Sequence, residues 1–491
     1  MYKELTMSER KQPNILLIMT DQLRGDCMGN AGHPDVKTPY LDTLAARGVA
    51  FDAAYSSCPS CIAARATLFT GLSPEHTRRV GYEDGVRWDY PHTMAGELTA
   101  AGYQTQCVGK MHVHPMRSLK GFQAVELHDG YLHCARHQSI AYRDAQKNAD
   151  DYFHWLREQL GVDADTIDTG LECNSWVSRP WCYEEKYHPT NWVTDRSIDF
   201  LRRRDQDKPF FLMASYLKPH PPLDPPQYYY DMYMRRELRG PAIGNWEKKP
   251  EGGKLVFDSM ESPADDVLQH EMMAGYYGLI THLDHNIGKL IQALVEHELY
   301  ENTVIIFTSD HGEQLGDHWM FRKSRPYQGS MNIPMIISAP DSLIPGIRRG
   351  TRSDAVVELR DIMPTLCDIA GAEIPPCDGE SMIPLITGKK ERNRDWIHGE
   401  HAYGRFSNHW IVTETDKYVW YSETGEEQYF NLVEDPRELD NRASSQPARV
   451  AELRNILIGE LTGRPEGFVS DGALVSGRPY PCTLREPFCR N

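Results

Sequence analysis

The stretch Asn14-Ile15-Leu16-Leu17-Ile18-Met19-Thr20 is an apolar run that ends at Asp21 and Gln22. A run without polar alternation is typical of a strand buried on both faces of a parallel sheet. Further runs of this kind alternate with helical patterns along the chain, which indicates an α/β domain. We therefore predict a mixed, mostly parallel sheet flanked by helices.

Polar residues follow each of the predicted buried strands. Three further apolar runs, at 103–108, 210–216 and 303–308, lead into Lys110 with His112, into His220, and into Asp310 with His311. In open α/β sheets, ligands bind outside the carboxyl ends of the strands. We therefore expect these side chains to converge with Asp21 and Gln22 on one site.

Other patterns predict the surrounding elements. Thr38-Pro39 has the form of a helix start, and Gly48 is the predicted end of that helix. Apolar residues from 276 to 294 keep helical spacing, which predicts a long amphipathic helix.

Beyond about Pro376, short aromatic segments such as 417–421 and 428–432 predict an antiparallel sheet. We therefore divide the chain into a catalytic α/β domain, 1–376, and a smaller C-terminal domain, 377–491. The stretch 134–192 shows little regular spacing of apolar residues and is interpreted as an insertion near the pocket.

Composition excludes several classes of partner. The chain has 491 residues and a formal charge of −17, so a nucleic-acid or anionic-membrane partner is not expected. A small anionic substrate in a locally basic pocket remains compatible with this charge. Residues 1–13 carry mixed charges without an apolar stretch, so we expect no signal peptide. Eleven scattered cysteines then predict reduced thiols and a cytoplasmic protein. The sequence leaves a homo-oligomer open.

The most specific motif is Cys61-Ile62-Ala63-Ala64-Arg65-Ala66-Thr67-Leu68-Phe69-Thr70-Gly71. It resembles the signature of the sulfatase family, in which Cys-x-(Pro or Ala)-x-Arg precedes Leu-x-Thr-Gly. In that family the Cys is oxidised to formylglycine, and the hydrate of this aldehyde is the nucleophile. Cys58 is the competing candidate, but Ile62, not Arg, follows it by four residues. Ala63 stands where Pro is commoner, a variant associated with anaerobic, radical-type maturases.

The residue types agree with this resemblance. The segment after Cys61 favours a helix, so the nucleophile is expected at a helix N-terminus, where backbone N–H groups favour an anion. Arg65 lies one turn later on the same face and can neutralise the nucleophile and the ester oxygens. A buried structural cysteine is the alternative for an isolated Cys. The polar strand ends favour the catalytic interpretation.

The resemblance also implies a divalent-metal site. Asp21, Gln22, Asp310 and His311 match the family's metal ligands, together with position 61. Oxygen ligands suit Ca²⁺, and the nitrogen of His311 also tolerates Mn²⁺ or Mg²⁺. Many sulfatases have Asp-Asp and Asp-Asn at these pairs, so Gln22 and His311 are departures that also occur in phosphonate monoester hydrolases of the same alkaline-phosphatase-like superfamily. Helix capping or turn formation is the alternative role for either Asp.

Further residues match family positions around the sulfate. Gly109-Lys110-Met111-His112 resembles the family's Gly-Lys-x-His, in which Lys110 would bind a sulfate oxygen and His112 the formylglycine hydrate. His220 matches the histidine at the bridging oxygen and is the candidate general acid. Lys323 matches the second lysine that binds the anion. His114, Arg117 and His401 are additional candidates for substrate contacts.

The implied reaction is hydrolysis of a sulfate ester, with a carbohydrate sulfate as the default substrate. One hydroxyl of the formylglycine hydrate attacks sulfur and His220 protonates the leaving alcohol. The second hydroxyl is then deprotonated and sulfate is expelled. Two alternatives remain open at this point. Gln22 and the segment 309–318 also resemble phosphonate monoester or phosphodiester hydrolases, and a non-catalytic glycan-binding relative would keep the fold and the metal.

Overall fold

The computed structural model describes residues 12–129, 150–250 and 259–485. In chain order its strands are β1 (Asn14–Asp21), β2 (Gly48–Phe51), β3 (Ala54–Tyr55), β4 (Gln104–Gly109), β5 (Ala124–Leu127), β6 (Phe210–Pro219), β7 (Thr303–Ser309), β8 (Met335–Ser338), β9 (Thr351–Ser353), β10 (Val357–Glu358), β11 (Ile397–His401), β12 (Asn408–Val412), β13 (Asp416–Tyr421), β14 (Glu427–Asn431), β15 (Val469–Ser470) and β16 (Ala473–Leu474).

Its α-helices, in chain order, are α1 (Pro39–Ala46), α2 (Cys61–Thr70), α3 (Pro74–Thr77), α4 (Met94–Ala100), α5 (Asp151–Leu160), α6 (Pro189–Arg203), α7 (Gln227–Met234), α8 (Asp266–Glu296), α9 (Gln328–Met331), α10 (Ile362–Ala370), α11 (Ile383–Ile386) and α12 (Pro447–Leu461). The long helix α8 confirms the prediction made from the spacing of its apolar residues.

The central sheet has eight strands in the order β5-β4-β6-β1-β7-β8-β2-β9. Strand β1 pairs in parallel with β6 and β7, and β4 pairs in parallel with β6. Strand β8 is antiparallel to both of its neighbours, β7 and β2. The predicted mixed, mostly parallel sheet is confirmed.

Both faces of the sheet are buried, which explains the unbroken apolar run of β1. Leu16 and Ile18 join a core that includes residues of α6 and α8. Ile15 and Leu17 join a second core, on the opposite face, that includes residues of α2 and α10. Successive side chains of a strand point to opposite faces, so a strand between two helical layers needs apolar residues at every position.

The prediction that Gly48 ends the first helix is wrong. Helix α1 ends at Ala46, and Gly48 is the first residue of β2. A Cβ at Gly48 would lie 2.2 Å from the carbonyl oxygen of Ile337 in β8. Gly48 is therefore needed for the close approach of two antiparallel strands.

The C-terminal part of the chain contains the predicted antiparallel sheet, with strand order β11-β12-β13-β14. Helix α12 packs on one face of it through Val450, Leu453 and Leu457. The other face packs against the catalytic region through Trp410 and Val419, next to Tyr55. The domain boundary after residue 376 stays a prediction. Of the predicted insertion 134–192, the part up to residue 149 lies outside the described residues.

The expectation that all thiols are reduced is wrong at Cys173, which is disulfide-bonded. The other eight cysteines in the described ranges are free. An odd number of scattered cysteines carries no information on which two come together in space. Within the described ranges, no helix combines the length and the apolar character that crossing a membrane requires.

A buried charge network joins the catalytic region to the C-terminal sheet. The ring of His318 lies between the carboxylates of Glu247 and Glu438, and Glu438 also pairs with Lys417 of β13. Burial alone would lower the pKa of His318, but its hydrogen bonds to the two carboxylates and their charges outweigh it and raise the pKa to about 9. His318 is therefore charged in the folded protein at neutral pH.

We predict that His318→Gln destabilises the protein near neutral pH by about 3 kcal/mol. The folded-state pKa exceeds that of an unfolded histidine, so the stabilisation is complete below about pH 6.5 and is lost as the pH rises through about 9. Urea denaturation across this pH range measures the free energy of unfolding of both proteins. The free energy of unfolding of the wild type should fall with rising pH more steeply than that of the variant. Parallel pH dependences would contradict the assignment of a charged His318.

Candidate active site

The polar strand ends converge on one buried cluster. Ligand atoms of Asp21, Cys61, Asp310 and His311 all lie within 4.8 Å of one another, and all four residues are buried. Asp21 ends β1, and Asp310 and His311 follow the neighbouring parallel strand β7. The sheet therefore brings together residues that are almost 300 positions apart in sequence.

Cys61 is the first residue of α2, as predicted for the nucleophile position. Its Sγ lies 3.2 Å from Nε2 of His311 and 3.5 Å from Nζ of Lys323. Burial opposes ionisation of this thiol, but the charges of Lys110, Lys323 and His311 outweigh it and hold the pKa of Cys61 well below its usual value. Position 61 is therefore surrounded by groups that stabilise negative charge.

Arg65 lies one turn further along α2 and is fully buried. Its Nε donates to Asp310 at 2.9 Å, and its Nη1 donates to the Lys110 carbonyl at 2.7 Å and to Ser215 Oγ at 3.0 Å. Arg65 thereby connects β6 with the carboxyl ends of β4 and β7. Ser215 was not predicted as a site residue; its only signal is a polar residue at the end of an apolar run.

The two carboxylates and an adjacent ring nitrogen point to a cation site. Burial and the charge of Asp21 raise the pKa of Asp310, so the two carboxylates repel each other. Lys110 pairs with Asp21 and offsets part of this charge. Nδ1 of His311 donates to the Gly312 carbonyl at 2.9 Å, so Nε2, which faces Cys61 Sγ, is the ring nitrogen that can bind a metal.

Gln22 adds an amide oxygen to the same cluster. Its Nε2 donates to Glu313, so its Oε1 is directed away from that carboxylate and accepts a hydrogen bond from Lys323 at 2.7 Å. Glu313 was not predicted, because nothing in its local sequence indicates a contact with Gln22. Two carboxylates, an amide oxygen and an imidazole nitrogen form a donor set that fits a divalent cation such as Ca²⁺.

His220 and Lys323 form a hydrogen-bonded pair beside the cluster. His220 Nε2 and Lys323 Nζ are 2.9 Å apart, and His220 Nδ1 donates to the Pro221 carbonyl at 2.7 Å. The backbone N–H of His220 donates to the Asp21 carbonyl at 3.1 Å, which positions the loop after β6. Burial and the charge of Lys323 hold the pKa of His220 well below its usual value. His220 is therefore neutral here and accepts a hydrogen bond from Lys323.

The loop after β4 carries the remaining predicted residues. The backbone N–H groups of Met111 and His112 both donate to Asp129 at 2.9 Å, and His112 also forms a hydrogen bond that lowers the pKa of Cys61. Arg117 is exposed and pairs with Asp151 at 2.9 Å. His114 is half-buried in the same loop. Substrate contacts of His114 and Arg117 therefore stay predictions.

His401 approaches the cluster from the C-terminal sheet. It ends β11 and is buried, and the charges of His311 and Lys323 act on its ring. The structure thus brings ten of the predicted residues into one centre, with His401 at its border: Asp21, Gln22, Cys61, Arg65, Lys110, His112, His220, Asp310, His311 and Lys323. Their catalytic roles stay predictions.

Family models match most of the chain. A model described as Sulfatase matches residues 13–372, which include every residue of the Cys61 cluster. A second model, described as N-sulphoglucosamine sulphohydrolase, C-terminal, matches residues 316–463. The two matches overlap on the segment that carries Lys323.

Comparisons with individual proteins agree with the family models. The chain is 50% identical to an arylsulfatase of Clostridium perfringens over 95% of its own length and 98% of that protein. It is 30% identical to an ulvan-active sulfatase of Formosa agariphila, over 88% of this chain and 77% of that one. A phosphonate monoester hydrolase of Agrobacterium radiobacter shares the fold, with a TM-score of 0.76 and 26% identity over 95% of this chain and all of that chain. The chain therefore belongs to the sulfatase family and is a sulfuric ester hydrolase.

Proposed function

We propose that the protein hydrolyses a sulfate monoester, by default of a carbohydrate, through a formylglycine at position 61 and one divalent metal, most simply Ca²⁺. The observation that carries this proposal is the position of Cys61, at the start of α2 and within 4.8 Å of three potential metal ligands. Maturation breaks the Cβ–S bond and one Cβ–H bond of Cys61 and forms a C=O bond, with oxygen from water and release of hydrogen sulfide and two protons. The two electrons pass to a radical-type maturase, for which Ala63 is the sequence signal.

The metal and the aldehyde hydrate have defined places in this proposal. Asp21, Gln22, Asp310 and His311 would hold the metal, which would supply positive charge to the sulfate oxygens. The aldehyde hydrate at position 61 would supply the hydroxyl nucleophile. Arg65 and Lys110 already neutralise the carboxylates there, with Arg65 Nε 2.9 Å from Asp310. Fixed charges of this kind stabilise the transition state without reorganisation.

His220 and Lys323 would act at the leaving oxygen. The negative charge of a bound sulfate ester raises the pKa of a neighbouring histidine. The pair, with nitrogens 2.9 Å apart, can then hold a proton at His220 Nε2 and transfer it to the departing alcohol. Lys323 is also 3.5 Å from Cys61 Sγ and can reach a sulfate oxygen.

The proposal is tested with protein expressed with and without a radical-type maturase. Peptide mass spectrometry reports the conversion of Cys61 to the aldehyde, and ion chromatography reports sulfate released from an aryl sulfate. We expect the rate of sulfate release to scale with the converted fraction. Full activity in unconverted protein would contradict the role of formylglycine.

A phosphonate monoester hydrolase is the second candidate, because the solved structure with that activity shares the fold. Gln22 and His311 are the residues that favour it. Lys110 and His112 follow the sulfatase pattern, and the high identity to an arylsulfatase supports sulfate. That identity also leaves a non-catalytic glycan-binding role without support.

We predict that His220→Ala affects esters according to their leaving group. Hydrolysis of an alkyl sulfate should fall about 10²- to 10⁴-fold, because a poor leaving group needs protonation. Hydrolysis of 4-nitrophenyl sulfate should fall about tenfold or less, since nitrophenolate leaves without a proton. Comparing kcat/KM of both esters for wild type and variant measures this. Equal losses on both esters would remove His220 from the acid role.

A further inference from the structure

Arg325 differs from the other buried arginines of the described residues. The buried arginines in those ranges are Arg24, Arg65, Arg79, Arg325 and Arg464. Four of them donate hydrogen bonds to carboxylates, carbonyls or hydroxyl groups. The guanidinium of Arg325 makes no hydrogen bond or ion pair with any described residue, and its buried Nε has no partner. A buried charge without a counter-charge is costly unless a ligand supplies one.

Aromatic rings hold the guanidinium of Arg325 in place. Its Cζ lies 3.6 Å from the ring centre of Phe406 and 5.7 Å from that of Tyr403. Burial lowers the pKa of Arg325, and the strongest electrostatic influences on it from the described part of the chain are the hydroxyls of Tyr421, Tyr327 and Tyr403 and the charge of Arg405. Stacking fixes the plane of the guanidinium, while no described residue accepts a hydrogen bond from its N–H groups.

His401 is a second buried polar side chain in the same place. It is 1% exposed, and neither ring nitrogen has a hydrogen-bond partner within the described ranges. Burial and the charges of His311 and Arg325 lower the pKa of His401 to about 3, so the ring is neutral and carries one N–H. Its ring centre is 6.1 Å from that of Tyr403, which also stacks near Arg325.

Backbone hydrogen bonds hold both residues next to the nucleophile. The N–H of Ser324, between Lys323 and Arg325, donates to the Pro59 carbonyl at 3.1 Å. The N–H of Glu400, which precedes His401, donates to the Ser57 carbonyl at 2.8 Å. Both acceptors belong to the loop that leads into Cys61. Arg325 and His401 are therefore anchored at the border of the Cys61 centre.

We propose that Arg325 and His401 bind a second anionic group of the sulfate ester substrate, either a carboxylate or a second sulfate. A guanidinium offers parallel N–H groups that match the oxygens of either anion. The neutral ring of His401 donates one further hydrogen bond. The inference rests on the proposed sulfatase function and adds that the natural ester carries a second negative charge beside the one that is hydrolysed.

Sulfonates that cannot be hydrolysed test this inference by binding alone. Titration calorimetry of matured, metal-loaded protein compares benzenesulfonate with benzene-1,3-disulfonate and 3-sulfobenzoate. We expect the tighter of the two dianions to bind about tenfold more strongly than benzenesulfonate. A preference for the disulfonate assigns the second group as sulfate, and a preference for 3-sulfobenzoate assigns it as carboxylate. Equal binding of all three probes would overturn the inference.

Variants then assign the preference to Arg325. Arg325→Met keeps an unbranched side chain against Phe406 and should remove most of the preference, while affinity for benzenesulfonate stays within about twofold. Arg405→Met is the matched control, because Arg405 is exposed and its Cζ lies 4.5 Å from the same Phe406 ring. Equal effects of the two variants would show that Arg325 acts only by packing on Phe406, which would overturn the inference.

Two further variants keep the test decisive if Arg325→Met does not fold. His401→Gln and Arg325→Lys, checked by thermal unfolding, should each weaken dianion binding and leave benzenesulfonate binding in place. Unchanged dianion preference in both would overturn the inference. A failure of the proposed function looks different, because sulfate release from simple aryl sulfates would then be absent from the wild type.

Discussion

Cys61→Ala is expected to reduce sulfate ester hydrolysis by at least about 10⁴-fold, because the variant has no side chain that can become the nucleophile. The protein should stay folded, since a small apolar side chain replaces a small buried thiol. Measurement of kcat/KM with 4-nitrophenyl sulfate, together with circular dichroism, checks both statements. A Cys61→Ala protein with the wild-type rate would exclude position 61 as the nucleophile.

Cys58→Ala is the matched control for this experiment. Cys58 is also buried and lies three residues before Cys61, but burial and the charge of Glu400 raise the pKa of its thiol well above the usual value. We expect this variant to keep activity near the wild-type level. The contrast separates loss of the nucleophile from a general disturbance of the loop before α2.

Asp310→Ala is expected to have the second largest effect, a loss of at least about 10³-fold in kcat/KM. This carboxylate accepts hydrogen bonds from Arg65 at 2.9 Å and from the backbone of Gln22 at 3.1 Å, and it belongs to the proposed metal site. Without this carboxylate, the purified protein should no longer contain one metal ion per chain, as measured by elemental analysis. Retained metal with retained activity would contradict the assignment of Asp310.

Asp284→Ala is the corresponding control. Asp284 is a buried carboxylate of α8 that accepts backbone hydrogen bonds from Leu41 at 2.8 Å and Tyr40 at 3.2 Å. We expect this variant to lose stability but to keep the metal and the specific activity of its folded fraction. A loss of metal in both variants would mean that removal of any buried aspartate disturbs the site indirectly.

Local patterns were sufficient to predict most of the sheet. The apolar run of β1 and the polar residues after β1 and β7 are properties of short segments, and the carboxyl-end rule then brings those residues together. The position of Cys61 at a helix N-terminus also follows from ten consecutive residues. Gly48 was misinterpreted because a glycine after a helical pattern is a common helix end, whereas its role here depends on β8, nearly 300 residues later.

Contacts between distant segments could not be predicted. Asp129 holds the loop of His112, and Glu313 orients the amide of Gln22, yet the local sequence indicates neither contact. The same applies to Arg325. That no described residue supplies it with a counter-charge is visible only when the C-terminal sheet is placed against the catalytic region. Sequence motifs thus predict the residues of the Cys61 centre, whereas Arg325, which we propose to bind a second anionic group, is identified only from tertiary structure.

Two esters that share the same leaving group test most directly whether the protein is a sulfatase or a phosphonate monoester hydrolase. Protein co-expressed with a radical-type maturase is assayed with 4-nitrophenyl sulfate and with 4-nitrophenyl phenylphosphonate. The proposed sulfatase function predicts a higher kcat/KM for the sulfate ester, because Lys110 and His112 follow the sulfatase pattern. A higher kcat/KM for the phosphonate would contradict it and would make Gln22 and His311 the residues that indicate the substrate.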